Sequence, residues 1–198
     1  MEGRDAMADA VRSTVRLTYD DLVAMFPEDD GVHRELIDGE IFVTPSPANR
    51  HQRLSLRLTL GLGNHLERHP EQGELFVARF DVVMTPYDVV EPDLLVVLGD
   101  QQDILTQKNV QGAPGLVIEI LSPSTRKRDL TLKRRLFERE GVREYWIVDP
   151  DRNSVAVYRC HADGTMPLAA TLEARNAETL TTPLLPGWEL TLERFFRP

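Results

Sequence analysis

With 198 residues, 41% of them apolar and 28% charged, the chain has the material for one core and hence one domain. A single cysteine, Cys160, excludes an internal disulfide and a cysteine-built zinc site, and five scattered histidines give no His-rich metal tract. No stretch nears the roughly 18 consecutive apolar residues of a membrane helix, and with no charged-then-apolar leader the expected setting is the reducing cytoplasm.

A net charge of -9 has the wrong overall sign for binding phosphate. Its distribution is uneven, because between positions 122 and 143 eight Lys and Arg stand against only Asp129, Glu138 and Glu140. That local basic block is either a solvated helix face with ion-pair partners or a landing zone for an anion.

Residues 1–16 are polar and unpatterned, and are expected to be a disordered extension ahead of a single domain over 17–198. "TYDDLVAMF" opens with Thr18 as N-cap and Asp21 three residues on, a capping-box-like start for a short helix. "HRELIDGEIFV" sets Asp38-Gly39 between two β-prone runs, a hairpin signal because a tight primed turn needs positive φ. Glu35 and Ile37 then share one face of its first strand.

After the "TPSPANR" breaker, "HQRLSLRLTLGLGNHLERH" has Leu54, Leu58 and Leu62 at helical spacing; the alternation also fits a strand, and length decides for helix. The pattern then turns β: "ELFVARFDVVMT", "EPDLLVVL" and "GLVIEILS" read as three successive strands. "STRKRDLTLKRRLFEREG" is a helix stopped by Gly141, "REYWIVDP" a buried strand closed by Pro150, "SVAVYR" a sheet extension, and "LLPGWELTLERFF" a small terminal helix. The layout is an α/β or α+β mixed sheet flanked by helices, with a β-hairpin in front.

Three charges fall where apolar side chains belong. Glu119 points the same way as Val117 and Leu121, and an ionised carboxylate buried there without a partner costs several kcal/mol or more. It therefore wants a cation, a metal or a proton. Asp93 opens the "DLLVV" run on a face with Leu95 and Val97. If the two strands are adjacent and antiparallel, Asp93 and Glu119 come side by side; if parallel, they sit near opposite ends. Adjacent carboxylates repel, and hard oxygen ligands are answered by magnesium or manganese. Lys133 takes a slot with Leu130 and Phe137 on a core-facing helical stripe, where lysine seldom goes unpaired. Either it reaches the two acids or it forms a plain helix pair with Asp129 four residues earlier. Two acids and a lysine form the charge pattern of metal-assisted phosphodiester hydrolysis.

The blocks "RELIDGE", "EPDLLVV", "VIEILSPST", "RDLTLKRRLF" and "GVREYWIVDP", in that order across residues 18–196, resemble the Uma-type family of restriction endonucleases, assigned to the PD-(D/E)xK nuclease superfamily. The resemblance implies a restriction-endonuclease-like αβββαβ core. It also implies a Mg2+- or Mn2+-dependent endonuclease acting on DNA, with Asp93 and Glu119 as catalytic metal ligands. The superfamily lysine two positions after the acid is Leu121 here, so the resemblance assigns that role to Lys133 on the following helix. Glu35 matches a further acidic position, as an added ligand or water-orienting group, against the plainer reading of a solvated or salt-bridged strand residue. His51 and Gln52 read as a polar helix N-terminus. Ser122, Ser124 and Thr125 cap the basic helix or bond phosphate, and Arg126, Lys127 and Arg128 offer DNA a positive surface.

A duplex cutter needs two sites for two strands, so a homodimer is the expected form. The rival is a catalytically inactive nuclease fold kept for DNA binding or assembly, which the acidic net charge and Leu121 favour. RNA or a small phosphorylated substrate is a third reading.

Overall fold

In the computed structural model, residues 15–27, 30–44 and 48–197 are described. The strands are β1 (His33–Ile37), β2 (Glu40–Thr44), β3 (Gly73–Val77), β4 (Val82–Thr85), β5 (Asp88–Val90), β6 (Leu94–Leu98) and β7 (Val110–Gln111). They continue with β8 (Leu116–Ile120), β9 (Glu144–Asp149), β10 (Ser154–Arg159), β11 (Leu168–Glu173), β12 (Thr179–Thr181) and β13 (Glu189–Thr191). The helices are α1 (Tyr19–Met25), α2 (Asn49–Leu66), α3 (Arg126–Arg128), α4 (Arg134–Glu140) and α5 (Leu192–Phe195), and a π-helical turn, Asp129–Lys133, joins α3 to α4.

A six-stranded sheet in the order β11-β10-β9-β8-β6-β3 forms the centre. Its neighbours are antiparallel except β8 and β9, which run parallel. A parallel pair cannot be joined by a tight turn, and the basic helical segment supplies the crossover.

One face of this sheet, through Leu94, Val96, Ile118, Ile120 and Trp146, packs on Leu54, Leu58 and Leu62 of α2 and on Trp188 and Phe195. Each such leucine removed from water contributes about 1.5–3 kcal/mol. The spacing of four settles the helix-or-strand ambiguity of this segment, since Leu56 and Leu60 between them are 59% and 54% exposed. The other face, through Leu95, Val97, Val117, Tyr145 and Ile147, meets Leu136 and Phe137 of α4 and Ile37, Val82 and Val90. Those last three belong to a second sheet, β2-β1-β5-β4-β7, which brings the front hairpin against the crossover helix.

Local signals account for the ends of the elements. Thr18 and Asp21 form both halves of a capping box on α1. Asp38 and Gly39 both have positive φ, 52° and 81°, as the hairpin turn demands. Gly141 ends α4 in the left-handed region.

The sequence and the structure part at several elements, among them "LLPGWELTLERFF", where β13 precedes the short helix α5. "ELFVARFDVVMT" is not one strand: β3 edges the large sheet as far as Val77, and from Val82 the chain runs as β4 in the small one. Residues 168–181 carry β11 and β12, which sequence alternation does not mark, because β11 is an edge strand whose Leu168, Ala169 and Thr171 are all exposed. Of the expected N-terminal extension, residues 1–14 lie outside the described residues. Arg16 packs on the hairpin: its guanidinium lies over the Tyr87 ring and its Nε donates to the Asp38 carbonyl at 2.9 Å.

Candidate active site

Strand pairing brings the first two acids together. β6 and β8 are antiparallel with Leu94 opposite Ile118, so Asp93, one residue before Leu94, falls opposite Glu119, one residue after Ile118. Asp93 Oδ2 accepts the Ile120 N–H at 2.7 Å and lies 3.1 Å from His51 Nε2. The sheet thus orients one oxygen of Asp93 through its backbone, and the first turn of α2 orients it through an imidazole.

The crossover helix supplies the cation. Lys133 is only 2% exposed, and its Nζ donates to Glu119 Oε1 at 2.6 Å and sits 2.6 Å from Glu35 Oε1. Asp129 Oδ1 is 3.8 Å away from the same nitrogen. The π-helical turn helps set this phase, since a local i→i+5 pattern shifts the residues that face inward; Asp129 and Lys133 at its two ends are both buried. The Tyr145 hydroxyl braces the turn by donating to the Asp129 carbonyl at 3.2 Å. Glu35 is held from its other side by Arg128 Nη2, 3.2 Å from Oε2, and Arg128 also donates to Thr44 Oγ1 at 2.5 Å.

Four carboxylates, Glu35, Asp93, Glu119 and Asp129, therefore surround two permanent cations, Lys133 and Arg128. Burial pushes the Glu119 carboxyl well above the usual carboxylate range; the Lys133 ammonium opposes this, and the carboxylates of Asp129, Asp93 and Glu35 add to it. Burial alone would loosen the Lys133 proton, but Glu119, Glu35 and Asp129 outweigh it and hold the ammonium above the ordinary lysine range. Asp129 is also raised by burial against the pull of Lys133. The Thr125 side chain approaches it and lowers it somewhat, but in poor alignment, so neither oxygen accepts a well-formed hydrogen bond among the described residues. These groups line a cavity of about 590 Å³ that also takes in His33, Glu91, Gln52 and Ser122.

All four residues singled out in the sequence, Asp93, Glu119, Lys133 and Glu35, meet on this cavity. The helix-pair alternative for Lys133 gives way, because Asp129 is more distant than either glutamate. Of the basic residues Arg126, Lys127 and Arg128, Arg126 bonds Asp149 at 2.7 Å and is partly exposed, Arg128 lines the cavity and is engaged by Glu35, and Lys127 is exposed. Ser122 Oγ accepts the Thr125 N–H at 3.3 Å, so this hydroxyl serves the helix start. His51 and Asp129 are the residues whose part in the site the sequence did not reveal. A histidine in a polar first turn carries no spacing signal, and an acid four residues before a lysine reads as its surface partner.

Asp93 Oδ1 and Glu119 Oε2 take no hydrogen bond from the protein among the described residues. No group of three or more His, Cys, Asp or Glu there has the arrangement of a metal cage. A cation between Asp93 and Glu119 would thus rest on two carboxylates and complete its shell with water. That arrangement suits magnesium, which keeps several waters and is commonly bound by one or two carboxylates.

A mixed sheet with a parallel crossover, and two acids and a lysine gathered at one cavity beside it, define a restriction-endonuclease-like fold. The Uma2 family model, described as "Putative restriction endonuclease", matches residues 18–193, and the chain belongs to that family. A crystal structure of a "putative nuclease belonging to DUF820" from Anabaena variabilis superposes with a TM-score of 0.72 at 21% identity, covering 91% of this chain and 97% of that one. An uncharacterized protein of Synechocystis sp., slr1290, is 27% identical over 134 residues, 66% of this chain and 67% of the relative. Among the described residues no helix is long and apolar enough to cross a membrane.

Proposed function

We propose that the chain is a divalent-metal-dependent endonuclease that hydrolyses DNA phosphodiester bonds. Asp93 and Glu119 are its metal ligands and Lys133 its catalytic cation. The observation that carries this reading is the meeting of three charges, 14 to 40 positions apart in sequence, on a single cavity. The strand and helix faces that carry Glu119 and Lys133 are otherwise apolar, so core packing does not call for a charge at either position. A bound magnesium or manganese ion supplies Lewis acidity at a phosphate oxygen and a more acidic bound water.

The protein's own groups do the rest. Asp93, oriented by the Ile120 N–H and His51, holds its carboxylate in a fixed direction, and Lys133 holds Glu119 in place in the cation-free pocket. The Lys133 ammonium, kept protonated by its neighbours, stabilises negative charge developing on the phosphate or orients the attacking water. Glu35 and Arg128 fix that ammonium from behind. The enzyme works in the cytoplasm, and as a homodimer it brings one such site to each strand of a duplex.

The competing reading is a nuclease fold retained for binding or assembly. It draws on the -9 net charge and on the engagement of Arg126 and Arg128 by carboxylates. Incubating supercoiled plasmid with the protein and magnesium or manganese separates the two. The endonuclease nicks or linearises the plasmid, and Asp93→Ala or Lys133→Ala slows this by about a hundredfold or more. Equal rates in the wild type and both variants would overturn the assignment.

A further inference from the structure

Asp129 helps to keep Lys133 protonated, yet its own situation is costly. It is 1% exposed, and apart from a poorly aligned approach of the Thr125 side chain neither carboxylate oxygen accepts a hydrogen bond among the described residues. Leaving a buried acceptor unpaired costs about 1–3 kcal/mol, and more for a charged one. Its nearest cation, Lys133, stands 3.8 Å off while lying 2.6 Å from both Glu35 and Glu119. An ammonium has three donors, and two are directed at the glutamates. The gap from Asp129 to an ordinary charge-assisted bond is about 1 Å, which small side-chain rotations close.

Two cations compete for Glu119. A divalent ion and the Lys133 ammonium on the same carboxylate repel each other strongly where water is scarce. Lys133 is anchored to the crossover helix and only 2% exposed, so its charge is poorly solvated and is best answered by another acceptor in the pocket. Glu35 is already engaged by Lys133 and Arg128. Asp129, which no cation among the described residues holds at bonding distance, is what remains.

Building on the metal-dependent reading above, we infer that Asp129 is a positioning residue for Lys133, receiving its ammonium when a divalent cation takes Glu119. The lysine is then a two-position latch. It holds the acids together in the cation-free pocket, and once displaced it stays beside the reacting phosphate.

The test is titration of the purified full-length chain with Mn2+ alone, followed by calorimetry, with circular dichroism to confirm that each variant is folded. Asp93→Asn abolishes the binding heat and so identifies the site. Asp129→Asn weakens Mn2+ binding by about tenfold, the size of effect seen when a residue supporting a metal ligand is removed, and Asp129→Glu restores most of it. Lys133→Met binds Mn2+ at least as tightly as wild type, and adding Asp129→Asn to it changes nothing. The inference is overturned if Asp129→Asn is neutral in a protein that binds Mn2+ through Asp93, or if it weakens binding equally with and without Lys133. Absence of any Asp93-dependent heat, in wild type and Lys133→Met alike, removes the metal reading itself and the latch with it.

Discussion

Lys133 ties three elements together through one nitrogen: Glu119 on β8, Glu35 on β1 and its own helix. Truncating it leaves the buried Glu119 without a counter-charge and Glu35 with Arg128 alone. Lys133→Met should therefore destabilise the fold by about 3–5 kcal/mol, the usual cost of removing one member of a buried ion pair. Urea unfolding of Lys133→Met alone and combined with Glu119→Gln checks this, because neutralising the stranded acid should restore part of the loss. A loss as large in the double variant would mean that packing of the lysine stem, and not its charge, is what matters. At this scale the sequence reveals residues that violate their surroundings. Glu119 inside "VIEIL" and Lys133 on the Leu130–Phe137 stripe stand out because a charge interrupts an apolar face. His51 and Asp129 lie where polar residues are ordinary, so only folding discloses their part.

Asp149, at the end of β9, is the fastening between that strand and the start of the crossover helix. Burial alone would raise its pKa, but the Arg126 guanidinium at 2.7 Å and the N–H groups of Arg152 and Asp151 hold it below its ordinary 3.8. A lowered acid contributes stability above its unfolded pKa and loses it as pH falls through the folded value. Asp149→Asn should thus cost about 1 kcal/mol at neutral pH, and thermal melts should show the gap to wild type closing below pH 3.8. A gap constant from pH 7 to pH 2 would assign the loss to packing. At the hairpin, Gly39 has φ of 81° and a Cβ there would come 2.6 Å from that of Arg16. Gly39→Ala should therefore cost about 1–2 kcal/mol, since Ala is strained at positive φ. Turn and cap chemistry made these element ends legible. The π-helical turn was not, because the sequence expresses only the phase of Lys133 and not the wider backbone that helps produce it.

At the scale of the whole molecule, the order of hairpin, long helix, strands, crossover helix and strand was readable from pattern, and β3, β6, β8, β9 and β10 after the long helix lie in the large sheet. The second sheet was not readable. Its β5 and β7 are strands of three and two residues, too short for alternation to tell them from loop, and β4 was read as strand but as a continuation of β3. Net charge is the molecular property with the clearest consequence. A body at -9, with a surplus of carboxylates in the pocket, repels a polyanion until cations neutralise it. In EDTA, the Asp93→Asn/Glu119→Gln double variant should bind a fluorescent DNA duplex more tightly than wild type, by about tenfold from two fewer negative charges. Anisotropy titration reads this directly, and equal or weaker binding would place the DNA contacts away from the cavity.

The claim on which the rest stands is that Asp93 and Glu119 form one cation site. Crystals soaked in manganese and measured at a wavelength where manganese scatters anomalously test it without recourse to activity. The account predicts an anomalous peak within coordination distance of both carboxylates, absent from Asp93→Asn crystals. A pocket with no peak, or a peak bound to other residues, would contradict it.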